Sequence, residues 1–421
     1  MISIIKVHNL AWVVVLLFYI MAPFNYVLDI QFKSFSLILI YFLFSNIFFW
    51  IGFSINSISP YSSFSEFKRK YIYIIYSFSF MYFILYLYKV FSLGEYSNFS
   101  FSLFGFTQLR YDLVNSDEYE SGSLLSGVFS TIFSGFPGLA IIFLYYFYTE
   151  LKRKDKIILF SIWLLGILYS LIGGGRNGAV ILILCFLFSF YSSRAKILYT
   201  KNYRFNKYRK FLIFFSIISF FVFSKIFLDR AVYTSGNLEA YINYLESTSE
   251  HNLKNYSKVL LNNRLISPFY FPIFMFHNYL SHSIFELIET LNSHPLSFPF
   301  FGAYQFHFVT LFLNKFGFNF ISISQISSEI VNPGRYFTLI GAVYLDYGVY
   351  GFVPFISFVF FMLGRLQKKY ILKPSIFNST FYIFSLIFVL FSPIFSVLNI
   401  SNFQPLVFNT LILYIISKFK I

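Results

Sequence analysis

Apolar runs of about 20 residues recur along this 421-residue chain, and they constrain its fold more than any motif does. A run of that length crosses a hydrocarbon core about 30 Å thick as a helix. Inside such a core every backbone amide needs a partner within the protein, a condition that a helix meets by itself. Charged residues make up only 12% of the chain, against roughly 25% in a soluble domain. The expected fold is all-α, a polytopic membrane helical bundle of about 10 transmembrane helices.

The runs fall at 9–28, 34–53, 71–91, 124–148, 157–173, 177–193, 211–228, 338–363, 376–398 and 401–417. With the N-terminus placed in the cytoplasm, the inner segments hold 21 of the 32 Lys and Arg but only three of the 17 Asp and Glu. That asymmetry is the positive-inside pattern, and it puts both termini in the cytoplasm. The net charge of +15 then reflects topology, and no nucleic-acid partner is expected. Lys6 precedes the first run, yet no small-residue cleavage site follows it, so an uncleaved first span is expected. The one cysteine, Cys185, lies in an apolar run without metal-ligand spacing. Three parts emerge: membrane helices over 1–228, a large outer loop with interfacial helices over 229–335, and membrane helices over 336–421.

Five of the six histidines fall in the outer stretch: His251, His277, His282, His294 and His307. Residues 265–276 are apolar and aromatic but carry Pro268 and Pro272, which points to an interfacial or re-entrant segment. After them, Asn278, His282, Glu286 and Glu289 share one face at helical spacing. A neutral His beside a carboxylate suits a general base, and a solvated helix face is the plain alternative. Residues 294–325 are rich in Phe, a surface suited to sugar rings, to lipid or to packing.

Two further features face the same side. The spans at 157–173 and 177–193 form a hairpin whose outer tip is Gly173-Gly174-Gly175-Arg176-Asn177-Gly178. Consecutive glycines such as Gly174 and Gly175 let backbone N–H groups converge on an anion, and Arg176 adds a bidentate fork. The alternative is a tight turn whose Arg reaches lipid head groups. The eighth span opens after Arg335 and contains Asp346 about two turns from its outer end. An acid at that depth is a functional candidate by default, with Arg335 or Arg176 as the expected partner. A structural Asp–Arg bridge is the other reading. Gly348 and Gly351 are expected to permit close helix packing.

The run Leu171-Ile172-Gly173-Gly174-Gly175-Arg176-Asn177-Gly178 resembles the glycine–arginine hairpin of bacterial O-antigen and oligosaccharide repeat-unit polymerases of the Wzy type. Asn332, Tyr336 to Thr338, Tyr344, Asp346, Tyr347, Gly348 and Gly351 resemble a second signature of that family, although Gly334-Arg335 interrupts its spacing. Asn177 stands where the family often has Gly. The resemblance implies an inner-membrane glycosyltransferase of polysaccharide biosynthesis, for example of lipopolysaccharide, with 229–335 as a large periplasmic loop region. Such an enzyme moves the growing glycan from undecaprenyl diphosphate to a hydroxyl of the next lipid-linked unit, with a chain-length regulator protein as a further partner. The implied diphosphate-binding set is Arg176, Arg335, Gly174, Gly175 and Arg264, and the implied catalytic set is His282, Glu286 and Asp346. No acidic cluster suggests a metal, so metal-independent transfer without a cofactor is expected. A lipid-linked oligosaccharide flippase, an O-antigen ligase and a membrane scaffold are the competing classes.

Overall fold

The computed structural model describes residues 2–25, 32–55, 69–92, 132–172, 176–199, 239–240, 242–243, 252–263, 265–293, 300–306, 309–310, 313–314, 317–318, 326, 337–399 and 403–418. Among them every regular element is helical: α1 (Ile4–Ile20), α2 (Phe32–Ser54), α3 (Arg69–Ser92), α4 (Phe136–Tyr146), α5 (Arg153–Ile172), α6 (Arg176–Tyr199), α7 (Asn255–Asn262), α8 (Ser267–Ser293), α9 (Leu339–Leu372), α10 (Ile376–Phe391) and α11 (Phe403–Lys418). A 3-10 turn, Val397–Asn399, separates the last two. Ser34–Ser54, Arg69–Tyr88 and Leu339–Leu372 are long and apolar enough to cross a membrane. Five shorter apolar helices lie among the other described elements. The run expected at 211–228 lies outside the described residues.

Side-chain contacts sort the helix ends into two sets. The Ile4 N–H donates to Gln367 Oε1 at 2.7 Å, and the Tyr382 hydroxyl donates to the Ile2 carbonyl. The Tyr370 hydroxyl reaches the Ser192 carbonyl at 3.3 Å, and the Tyr76 hydroxyl reaches Asp155 Oδ1 at 3.3 Å. The starts of α1, α3, α5 and α10 therefore gather with the ends of α2, α6 and α9. Arg69, Lys70, Arg153, Lys154, Arg365, Lys368 and Lys373 belong to this basic end. There, Lys368 Nζ donates to the Ser54 and Ile55 carbonyls at 3.0 and 3.1 Å, meeting backbone acceptors left open where α2 stops.

The tightest seam runs between α2 and α9, which lie parallel. Tyr41 meets Phe352 towards one end, and Ser54 meets Lys368 at the other. A Cβ built on Gly52 would sit 2.1 Å from the Phe361 carbonyl oxygen, and one on Gly364 would sit 2.1 Å from that of Phe49. Only glycine lets the two backbones approach this far. A second seam gathers on α4, which the break at Gly135-Phe136-Pro137-Gly138 starts rather than kinks. A Cβ on Gly135 would meet the Leu406 backbone at 2.6 Å, and one on Gly166 would meet Pro137 at 2.5 Å.

Three elements depart from expectation. Residues 265–276 do not break at their prolines: α8 is one helix of 27 residues with Pro272 inside it. Pro268 sits in the first turn, where a missing N–H costs nothing. The run expected at 376–398 stops as a helix at Phe391, just before Ser392-Pro393. Gly348 is not a packing glycine, because a Cβ there would have nothing within 4 Å. Its φ of 62° and ψ of −168° lie in a region open almost only to glycine, and they kink α9.

The kink gives α9 a tip. Gln367, at the basic end, is 19 residues or roughly 28 Å of helix below Gly348. Leu339, at the other end of the kinked helix, donates its N–H to the Ser392 carbonyl at 2.8 Å. Ser392 Oγ in turn accepts from Trp12 Nε1 at 3.0 Å, and Trp12 is only eight residues, roughly 12 Å, above Ile4. The first half of α9 thus turns back into the bundle, and its residues Leu339 to Asp346 are buried.

Replacing Gly364 by Leu places a side chain on the Phe49 carbonyl. The expected outcome is loss of the α2–α9 seam, with destabilisation of about 3 kcal/mol or more. Thermal unfolding of the detergent-solubilised protein checks this, with Gly341→Ala as the comparison, because a Cβ there would meet its nearest neighbour, Phe337, at 3.4 Å, an ordinary contact.

Candidate functional site

The site lies at the end of the bundle away from the basic residues. Its centre is Asp346, whose side chain is wholly buried. Oδ1 accepts the Tyr304 N–H and Oδ2 accepts the Gln305 N–H, both at 2.9 Å. The main chain is paired as well: the Phe300 N–H donates to the Leu345 carbonyl at 3.1 Å, and the Phe301 N–H donates to the Asp346 carbonyl at 2.8 Å. Asp346 therefore caps the turn at 300–306 and pins it to the returning half of α9. A carboxylate shared between two amide donors is a strong, directional anchor. The turn needs unusual backbone to arrive there, with φ of 50° at Phe301 and 88° at Gly302. A Cβ on Gly302 would meet the Tyr347 hydroxyl at 3.1 Å.

A polar junction continues from this anchor. Ser396 Oγ donates to Gln305 Oε1 at 3.3 Å, and Gln404 Nε2 donates to the Gln305 carbonyl at 2.9 Å. The Ser396 N–H donates to the Phe337 carbonyl at 3.0 Å, and Thr338 Oγ1 caps α9 by accepting the Gly341 N–H at 3.2 Å. Gln305 Nε2 lies near the Asp346 carboxylate and, among the described residues, meets no acceptor in hydrogen-bond geometry. Gln305, Ser392, Ser396 and Gln404 were not singled out from the sequence. Only Ser392-Pro393 carries a visible signal, a helix stop in an apolar run.

His282 and Glu286 form a pair on α8. His282 Nε2 lies 3.1 Å from Glu286 Oε1, with the imidazole 24% exposed and the carboxylate side chain 1% exposed. The face carrying Glu286 is turned into the protein, so a solvated helix face is ruled out. Ser283 Oγ donates to the Pro393 carbonyl at 3.0 Å, and Leu287 approaches Gly341. Glu286 sits between those two contacts in sequence. Asp346 is five residues beyond Gly341, roughly 7.5 Å along the helix. A ring whose Nε2–H donates to a carboxylate keeps Nδ1 as its basic nitrogen.

Arg176 is the first residue of α6. Its helix passes Ser192 at the basic end, so the start of α6 lies at the same end as α8 and Asp346. Gly174, Gly175, Arg264 and Arg335 lie outside the described residues, as do His251, His294 and His307. Among the described residues Asp346 is held by the two backbone amides; its expected partners, Arg335 and the side chain of Arg176, lie outside the described residues. Each oxygen of Asp346 accepts one backbone N–H, and the side chain has no solvent contact. Among the described residues no three His, Cys, Asp or Glu side chains form a metal-holding group.

His277 fastens α8 to α1. Its Nε2–H donates to the Phe18 carbonyl at 2.7 Å, and its ring meets the Phe18 ring edge-on at 5.0 Å. Burial pushes its pKa below the ordinary 6.5, and Lys254 adds to the shift while the Phe18 carbonyl opposes it. Comparison of the chain with protein-family models, with curated proteins and with solved structures finds no match.

Two outcomes follow from this geometry. Asp346→Ala leaves two buried amides without acceptors and is expected to cost about 3 kcal/mol. Asp346→Asn, which keeps one acceptor, should cost less; thermal unfolding and protease cutting within 300–306 measure both. For His277 the unfolded chain binds the proton more readily than the folded one. Stability contributed by this contact is then present above pH 6.5 and falls as pH drops below it. The protection of α8 amides against hydrogen exchange, taken relative to the intrinsic exchange rate at each pH, should fall between pH 7 and pH 5, and His277→Gln should flatten that dependence.

Proposed function

We propose that the protein is a polymerase of lipid-linked oligosaccharide repeat units, working at the outer face of a bacterial inner membrane. The observation that carries this reading is the His282–Glu286 pair, a partly exposed imidazole held on a buried carboxylate. It sits at the end of the bundle opposite the basic residues, which the positive-inside rule assigns to the cytoplasm. The resemblance of the Gly173–Gly178 hairpin and of the Asp346 segment to polymerases of the Wzy type supports the same reading.

In the proposed step an acceptor-sugar hydroxyl attacks the anomeric carbon of the glycan carried on undecaprenyl diphosphate. The bond from that carbon to the diphosphate oxygen breaks, and its electron pair leaves with the lipid diphosphate. His282 Nδ1 takes the hydroxyl proton, and Glu286 holds the ring and stabilises the imidazolium that forms. Cationic groups are needed where the diphosphate gains charge. Arg176 at the start of α6 is the first candidate, with Arg335 and Arg264 beside it in the proposal. Asp346 is a positioning residue that keeps the 300–306 turn seated.

In cells carrying the remainder of the assembly system, His282→Ala and Arg176→Ala are each expected to abolish long glycan chains while single repeat units still reach the surface. Glu286→Gln should slow chain growth by about 10- to 100-fold. A glycan gel of surface material reads all three. Full-length chains in the His282 and Arg176 variants overturn the reading, and loss of even single units points to a transporter.

A further inference from the structure

We propose that α7 and the first half of α8 lie in the plane of the membrane and bury an apolar stripe in the lipid leaflet at the end of the bundle opposite the basic residues. Phe269, Ile273 and Phe276 recur at intervals of four and three, which places them on one side of α8, and Leu265 lies in the turn just before it. Leu265 is 84% exposed, Phe269 73% and Ile273 53%. The opposite side is already used, because Phe271 and Phe274 pack with Phe24, Leu253 and Leu261 in a small core of their own. The exposed stripe is thus not the helix's protein-facing side.

Its place in the fold identifies its occupant. α1 spans 17 residues, roughly 25 Å, from the basic end, so its far end reaches the opposite boundary of a hydrocarbon core about 30 Å thick. α7 and α8 are seated on that far end. The Lys254 N–H donates to the Pro23 carbonyl at 2.8 Å, the Tyr256 hydroxyl donates to the Met21 carbonyl at 3.3 Å, and His277 holds Phe18. Leu17, Ile20 and Met21, on the last turn of α1, are exposed and apolar. The stripe continues that lipid-facing surface without a gap in chemistry. Tyr256 and Lys254 accompany it, residues whose apolar stems and polar heads suit the head-group layer. In-plane helices of this kind bury one face to about 5–10 Å. The same helix carries His282 and Glu286 about two and three turns beyond Phe276, so the anchor also bears on the position of that pair.

Spin labels on the protein reconstituted in phospholipid vesicles test this. Cys185, which is buried, is first replaced by Ala, and single labels are attached at Phe269→Cys and Ile273→Cys. Collisions with dissolved oxygen should exceed collisions with a water-soluble nickel chelate several-fold at both sites. Nickel collisions that dominate would put the stripe in water and overturn the proposal. Low collision rates with both reagents would mean that protein covers it, and would overturn the proposal equally. Glycan assembly plays no part in this readout, so its failure is separate from failure of the glycosyl-transfer reading.

Discussion

A backbone amide in hydrocarbon that lacks an acceptor costs several kcal/mol, and the site end of this protein is arranged around avoiding that loss. Three segments have backbone groups without helical partners there: the turn at 300–306, the start of α9 with the residues just before it, and the stretch after Phe391. Each supplies what another needs. Asp346 accepts from Tyr304 and Gln305, Ser392 accepts from Leu339, and Phe337 accepts from Ser396. None of the three is stable alone at that depth, so they hold one geometry together. The His282–Glu286 pair rests on this frame through Ser283 and Leu287, and its precision depends on a network it does not belong to.

This arrangement separates position from chemistry. Asp346 is the most deeply placed acid of the site, and each of its oxygens accepts a backbone N–H. The imidazole of His282 keeps contact with the outside while its partner carboxylate does not. A buried carboxylate next to a half-open imidazole biases the ring towards one tautomer and lowers its freedom to rotate. The network at Gln305, Ser396 and Gln404 leaves Gln305 Nε2 without an acceptor among the described residues.

Much of the architecture was legible in the residues. Apolar runs and the distribution of Lys and Arg located most helices and their polarity, because hydrocarbon imposes length and composition directly. The hairpin at Ile172 and Arg176 was legible for the same reason. What failed were features decided by tertiary partners. Gly348 looks like a packing glycine in the string Tyr347-Gly348-Val349-Tyr350-Gly351, and only its backbone angles make it a kink. Pro268 and Pro272 look like breaks, but the packing of Phe271 and Phe274 keeps α8 continuous. The turn amides that hold Asp346 come from 42 residues away and are invisible to sequence spacing, which reveals side-chain pairs. Gln305 carries no signal at all in a Phe-rich stretch.

The parallel seam of α2 and α9 has a consequence for how the protein is made. Gly52 and Gly364 meet although 312 residues separate them in the chain. While a ribosome is still synthesising the middle of the protein, the glycine face of α2 has only lipid or an insertion factor against it. The N-terminal helices therefore wait in the membrane as an unfinished half, and the bundle closes late, when α9 arrives. A chain that stops before α9 leaves that glycine face without its protein partner.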